Sequence, residues 1–341
     1  MTNSEIQALQ ELLSQPKKIA IIPHRSPDGD AMGSTLALYH FLRKLNHQPV
    51  VIAPNEFPEF LAWLPASETV LIYEKDKENV AKILHEQDLI FTLDFNALHR
   101  TGEMEFVLNK LRVPFIMIDH HERPDAYAKF MYSDTAFGST CEMIYNFIGQ
   151  LGHRDLIDKT IATCIYTGIL TDSGSFRFPK TTGTTHRIVA ELIDLGVENS
   201  NIPALLFDNG SYDSLQLLGQ ALQNMKVFPK YHTSYTTLTQ EELDRNHYVK
   251  GDTEGIVNYG LSIKGIIFTA IFIEHADEKI IKISLRSQGG FDVNQFAREH
   301  FGGGGHINAA GGKSALPMQE TVQKFERIVR EMNIQPTKTT K

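Results

Sequence analysis

Three short segments rich in acids and histidine set the chemistry open to this chain. The first reads His24-Arg25-Ser26-Pro27-Asp28-Gly29-Asp30, the second supplies Asp94, and the third is Asp119-His120-His121. A fourth acid, Asp172, lies in Thr171-Asp172-Ser173-Gly174. Carboxylates are hard oxygen ligands and imidazole adds nitrogen, so this set suits a pair of ions such as Mn²⁺ or Mg²⁺. Two ions held together activate water and stabilise the oxygens of a phosphoryl group in flight. Each piece also has a plainer use. Asp30 could cap a helix, Pro27-Asp28-Gly29 could be a turn, and Asp94 could be a loop acid. Two histidines directly after Asp119 are harder to assign to structure alone.

What joins the pieces is their place at the ends of apolar runs. Residues 18–23, 49–53, 88–93 and 114–118 are continuous apolar strands. Helical patterns lie between and after them, at 31–45, near 78–85, at 103–111, 138–151, 156–170 and 185–195. A first helix opens at Ser4 with Gln7 in capping-box spacing. Apolar strands alternating with helices predict an α/β fold with a mostly parallel sheet flanked on both faces. Ligands of such sheets bind beyond the carboxyl ends of the strands. Three strands therefore deliver Asp and His to one edge. After residue 226 the pattern changes: 234–238, 265–272 and 279–285 are β-rich, with helices at 293–300 and 319–332. The expected organisation is a metal-bearing domain at 1–196, a helical linker at 197–213, a smaller α/β substrate-binding domain at 214–335 and a disordered tail at 336–341.

These segments, in this order, resemble the four motifs of the DHH phosphoesterase superfamily. Ser284-Leu285-Arg286-Ser287 and Gly302-Gly303-Gly304-Gly305-His306, followed by Ala309-Ala310-Gly311-Gly312, resemble its DHH-associated C-terminal domain. The likeness covers nearly the whole chain and is nearest the compact nanoRNase and pAp phosphatase group. It implies that His24, Asp28 and Asp94 hold one ion, and that Asp30, Asp94, His120 and Asp172 hold the other, with Asp94 bridging. It further implies that His121 faces the scissile phosphate and that Asp119 orients the histidines. Two divalent cofactor ions, usually manganese, go with this pattern. The implied reactions are hydrolysis of short RNAs such as pApA and pGpG, and of adenosine 3′,5′-bisphosphate to AMP. A manganese pyrophosphatase, a stand-alone cyclic-dinucleotide phosphodiesterase and a catalytically silent RNA- or nucleotide-binding protein are the alternatives.

Substrate recognition falls to the second domain. Arg286 suits bidentate phosphate contact, beside Ser287. Gly303, Gly304, Gly305 and His306 form a run whose backbone could approach a phosphate or base closely. Gly312-Lys313-Ser314 is no P-loop, because Ile307 stands where the first glycine would be. Arg177 is a weaker candidate for substrate contact, and Trp63 is expected to pack.

Charge limits the partners. The 341 residues carry a formal net charge of −8 with no basic run, which argues against long duplex nucleic acid and for short substrates gripped by a few groups. No apolar run approaches the ~20 residues of a membrane span, and residues 1–18 do not read as a signal peptide. A cytoplasmic protein is expected, with a homodimer left open. Cys141 and Cys164 sit in apolar helical patterns and are expected to be buried thiols.

Overall fold

The structure is a computed structural model, and it describes residues 1–208, 210–332 and 334. The tail expected at 336–341 lies outside the described residues. The chain divides into two compact units, Met1–Asn209 and Gly210–Lys341.

In the first unit the strands are β1 (Lys18–Ile22), β2 (Gln48–Ala53), β3 (Leu71–Ile72), β4 (Leu89–Leu93), β5 (Phe115–Asp119) and β6 (Phe130–Ser133). All pair in parallel, in the order β3-β2-β1-β4-β5-β6. The order reverses between β1 and β4, the switch point at which open α/β sheets leave a crevice. The helices are α1 (Asn3–Leu12), α2 (Gly29–Lys44), α3 (Lys77–His85), α4 (Glu105–Leu108), α5 (Thr140–Gln150), α6 (Lys159–Asp172), α7 (Gly183–Asp194) and α8 (Asn201–Phe207). Successive strand side chains point to opposite faces. Ile19 and Ile21 join a core with α2, α5 and α6, while Ala20 and Ile22 join another with Val80 and Leu84 of α3. Both faces are covered, as the continuous apolar strands require.

The second unit holds α9 (Tyr212–Gln223), β7 (Lys226–Phe228), β8 (Thr233–Leu238), α10 (Gln240–Arg245), β9 (Phe268–His275), β10 (Ile280–Ser287), α11 (Val293–Phe301), β11 (Gly304–Gly305), β12 (Ala309–Ser314) and α12 (Met318–Glu331). Its sheet runs β11-β12-β10-β9-β8-β7, antiparallel except for the parallel β8–β9 pair. Phe268 and Phe272 pack on Phe296 and Phe325 of α11 and α12, and Ile271 and Ile273 pack on the other face with Leu217 and Leu243.

Several expectations need correction. The helix expected at 103–111 is a 3₁₀ segment, Leu98–Met104, leading into the single turn α4; Gly102 at φ +63° breaks it. The strand expected at 265–272 begins at Phe268, because Gly265 turns the chain at φ +84°. The first helix of the site is capped by Asp28, not Asp30. Short strands β3, β6, β7 and β11 fell below pattern recognition, and β12, Ala-Ala-Gly-Gly-Lys-Ser, has none of the branched residues that mark strands. The segment 197–213 carries α8 and the start of α9.

One packing feature bears directly on the site. Helix α2 is buried from Gly29 to Tyr39 and lies against α5 and α6. A Cβ on Gly168 would fall 2.2 Å from Cys141 Sγ and 2.6 Å from Asp30 Oδ1; one on Gly33 would fall 2.6 Å from the Cys164 carbonyl. Both thiols are free and buried. Gly168→Ala should destabilise the protein by about 1–3 kcal/mol, the usual cost of overpacking, despite alanine's better helix propensity of about 1 kcal/mol. Denaturant midpoints of the metal-free protein measure this. A midpoint at or above wild type would mean that the helices separate freely.

Candidate active site

Each functional side chain is placed by an element end. β1 finishes at Ile22, two residues before His24, and α2 then starts with Asp28 as its N-cap. One Asp28 oxygen accepts the N–H groups of Asp30 and Ala31, both at 3.0 Å. The other lies 3.9 Å from His24 Nε2. Asp94 follows β4 at φ +66°, a left-handed conformation that aspartate tolerates better than most residues. Asp119 is the last residue of β5, and Asp172 is the last residue of α6. An acid at a helix C-terminus opposes the macrodipole, so structure alone gives no reason for Asp172 to be there.

The side chains fall into neighbouring groups. His24, Asp28 and Asp94 bring one ligand atom each to within 4.8 Å of one another, and so do Asp30, His120 and Asp172. Asp94 faces both groups. Its Oδ2 lies 3.5 Å from His24 Nε2, and its Oδ1 lies 3.4 Å from His120 Nε2. His120 Nε2 is also 3.3 Å from Asp172 and 3.8 Å from Asp30. All six side chains suggested by the sequence as ligands are therefore gathered at the carboxyl edge of the sheet.

The imidazoles are oriented through their other nitrogen. His24 Nδ1 meets the Arg25 carbonyl at 2.9 Å and His120 Nδ1 meets the Phe137 carbonyl at 3.3 Å. A carbonyl only accepts, so Nδ1 carries the hydrogen and Nε2 is turned toward the acids. His121 Nδ1 lies 2.7 Å from Asp119 Oδ1, which fixes that ring in the same sense. The other Asp119 oxygen is buried and has no hydrogen-bond partner.

Without cations the charges strain against one another. Burial pushes the Asp30 carboxyl well above its ordinary value, and Asp94 and Asp172 push it further. Burial also lifts Asp172, to about 6. Burial would lower His120, but contact with Asp94 and the charges of Asp172, Asp94 and Asp30 outweigh it and raise the pKa to about 10. For Asp94, burial is outweighed by His120 and His24, which hold it well below the usual carboxylate range. A pocket of buried acids kept in balance by a proton on imidazole has the donor chemistry of a divalent-metal site.

Sequence reasoning missed the supports. Thr140 donates its hydroxyl to Asp94 Oδ1 at 2.9 Å, and the N–H groups of Thr140 and Cys141 bind the two Asp30 oxygens at 2.6 and 2.9 Å. The spacing Ser139-x-x-Glu142 ahead of an apolar helix was a usable signal for that helix start.

Within the second unit, Arg286 and Ser287 end β10. The Ser287 hydroxyl donates to the Phe291 carbonyl and accepts from Asn308. The glycine run is less open than expected. The Gly303, Gly305 and His306 amides already donate to Ala297 O, Asn294 Oδ1 and Ala309 O. A Cβ on Gly303 would lie 1.8 Å from the Gly311 carbonyl, whereas one on Gly304 finds nothing nearer than 3.4 Å. Arg177 bonds the Gly174 carbonyl, and Trp63 packs at the edge of the main core.

This fold and this clustering of acids and imidazoles are those of a phosphoesterase whose acids and histidines could hold metal ions. Residues 18–169 match the DHH family, N-terminal domain, and residues 234–333 match the DHHA1 domain. The chain is similar to the bifunctional oligoribonuclease and PAP phosphatase NrnA of Thermus thermophilus, 30% identical over 94% of this chain and 90% of that one. It is 28% identical to the protein of the same name in Bacillus subtilis, over 85% of this chain and 88% of that one. The crystal structure of an exopolyphosphatase-related protein from Bacteroides fragilis matches with TM-score 0.92 and 39% identity, over 97% and 96% of the two chains. The chain belongs to the DHH family of phosphoesterases and is a hydrolase. Among the described residues no helix is long and apolar enough to cross a membrane.

The charge balance predicts an unusual pH profile. His120 is raised from 6.5 to about 10, so its contribution to stability is complete below pH 6.5 and lost as pH rises through about 10. Asp172, raised from 3.8 to about 6, also favours the folded state only while protonated. Metal-free stability should therefore fall between pH 6.5 and 10, and His120→Ala should flatten that slope. Added manganese should restore stability more strongly as pH rises, because binding displaces the His120 proton. Denaturant midpoints with chelator and with manganese measure both trends; a metal-free midpoint that climbs in this window would contradict the charge network.

Proposed function

We propose that this chain hydrolyses very short RNAs, linear dinucleotides such as pApA and pGpG among them, to mononucleotides, and adenosine 3′,5′-bisphosphate to AMP. The observation that supports this most is the two-sided Asp94, with one oxygen toward His24 and the other toward His120. On this reading His24, Asp28 and Asp94 hold one ion, and Asp30, Asp94, His120 and Asp172 hold the second. Manganese is the metal we favour. Bound ions would supply neutralisation of the phosphoryl oxygens and an acidified water.

The chain's own groups do the rest. Asp119 holds His121 through Nδ1 and orients the ring, which would stabilise charge on the scissile phosphate or pass a proton to the leaving oxygen. Asp28, the N-cap of α2, and Asp30, in its first turn, would hold their ions from the start of that helix. In the second domain Arg286 grips a phosphate, and the turn from Gly303 to His306 shapes the space for a base or terminal phosphate. An acidic protein has little general pull on polyanions, so a few close contacts fit short substrates and not long chains. The names of the Thermus and Bacillus relatives agree with both proposed substrates.

A single preparation should be assayed on pApA, pGpG, adenosine 3′,5′-bisphosphate, cyclic di-AMP, pyrophosphate and polyphosphate, with manganese and with chelator. Hydrolysis of the first three that depends on added metal is expected. Turnover of pyrophosphate, polyphosphate or the cyclic dinucleotide in their place would overturn the reading.

Arg286→Ala should raise KM for pApA by an energy of about 1.5–3 kcal/mol, that of a charged hydrogen bond. Hydrolysis of bis-p-nitrophenyl phosphate, which needs only the metal edge, should change far less. Equal losses on both substrates would move Arg286 out of recognition.

A further inference from the structure

Helix starts leave N–H groups without intrahelical partners, and their dipole favours an anion nearby. At the start of α5 these groups are directed at the site. Ser139 caps the helix by accepting the Glu142 N–H at 3.1 Å. The N–H groups of Thr140 and Cys141 take one Asp30 oxygen each, at 2.6 and 2.9 Å. The Thr140 side chain does not bond its own backbone, as threonine commonly does at helix starts. It reaches Asp94 Oδ1 at 2.9 Å, 46 positions away in sequence. All three residues are buried, Thr140 completely, so water does not replace this donor.

We infer that Thr140 is a positioning residue for the metal edge. Its hydroxyl fixes the rotation of the Asp94 carboxylate while its backbone fixes Asp30. A carboxylate oxygen has two lone pairs. With one of them taken by Thr140, the remaining Oδ1 lone pair is aimed toward His120, and Oδ2 is left on the His24 side. Asp94 then faces both groups in one orientation and does not rotate between them. Cys141 gives its amide to the Asp30 carboxylate, and its thiol lies between α2 and α6, 3.7 Å from the Asp30 carbonyl and 3.8 Å from the Cys164 carbonyl.

The inference rests on the two-ion reading above, and the test separates the two. Manganese is titrated by calorimetry into metal-free wild type, Thr140→Val, Thr140→Ala and Thr140→Ser, with circular dichroism and melting followed on each. Residues that orient metal ligands typically contribute 10–100-fold in affinity. Val and Ala should therefore weaken at least one manganese-binding step by about 10–100-fold with the fold intact, and Ser should bind as wild type does. The comparison of Ala with Ser isolates the hydroxyl if Val fails to fold. A wild type that binds no manganese would overturn the metal reading itself. Wild-type binding matched by Ala would overturn the role of Thr140 alone, and Ser failing as Ala does would assign the effect to the methyl group.

Discussion

The first unit is organised around a local repulsion. Asp30, Asp94, Asp119 and Asp172 come together at one end of a sheet, the first three almost wholly buried, where carboxylates are costly to ionise and repel one another. The fold sets several donors against this repulsion. His120 and His24 face the acids, two amides from α5 hold Asp30, and the Thr140 hydroxyl holds Asp94. Remaining negative charge at such a site is answered by cations, which links the electrostatics to the family's phosphoesterase chemistry. The parallel sheet serves this end of the molecule because it brings three separate loops to one crevice beside the switch between β1 and β4.

The packing beneath the acids is equally constrained. Glycine at 33 and 168 lets α2 and α6 approach until backbone nearly touches backbone. That closeness sets the position of the α2 N-terminus, and with it Asp28 and Asp30. Cys141 and Cys164 are thus filling residues in a seam where larger side chains do not fit, as their apolar settings in the sequence suggested.

Most of the first unit was legible in the sequence because its strands are continuous apolar runs and its acids follow them directly. Asp94 and Asp119 could be placed at the sheet edge from strand ends alone. The plainer use offered for Asp30, capping α2, falls to Asp28 instead, since both are plausible caps and only backbone geometry separates them. Supports such as the Thr140 hydroxyl and the Phe137 carbonyl were invisible because they depend on which elements meet, and pattern does not record that. In the second unit, β12 was missed because its small residues carry no hydrophobic alternation. The glycine run proved to be half strand, with several amides already bonded, so Gly303 and Gly305 answer first to close backbone contact with β12.

The anchoring of the three imidazoles at Nδ1 has an entropic consequence. A histidine free to rotate loses side-chain freedom when it captures an ion, and that loss weakens capture. In His24 and His120 the ring orientation is already set by two carbonyls, and a carboxylate does the same for His121 beside them. The ordering cost therefore belongs to folding, so a cation entering between these groups would meet rings already oriented.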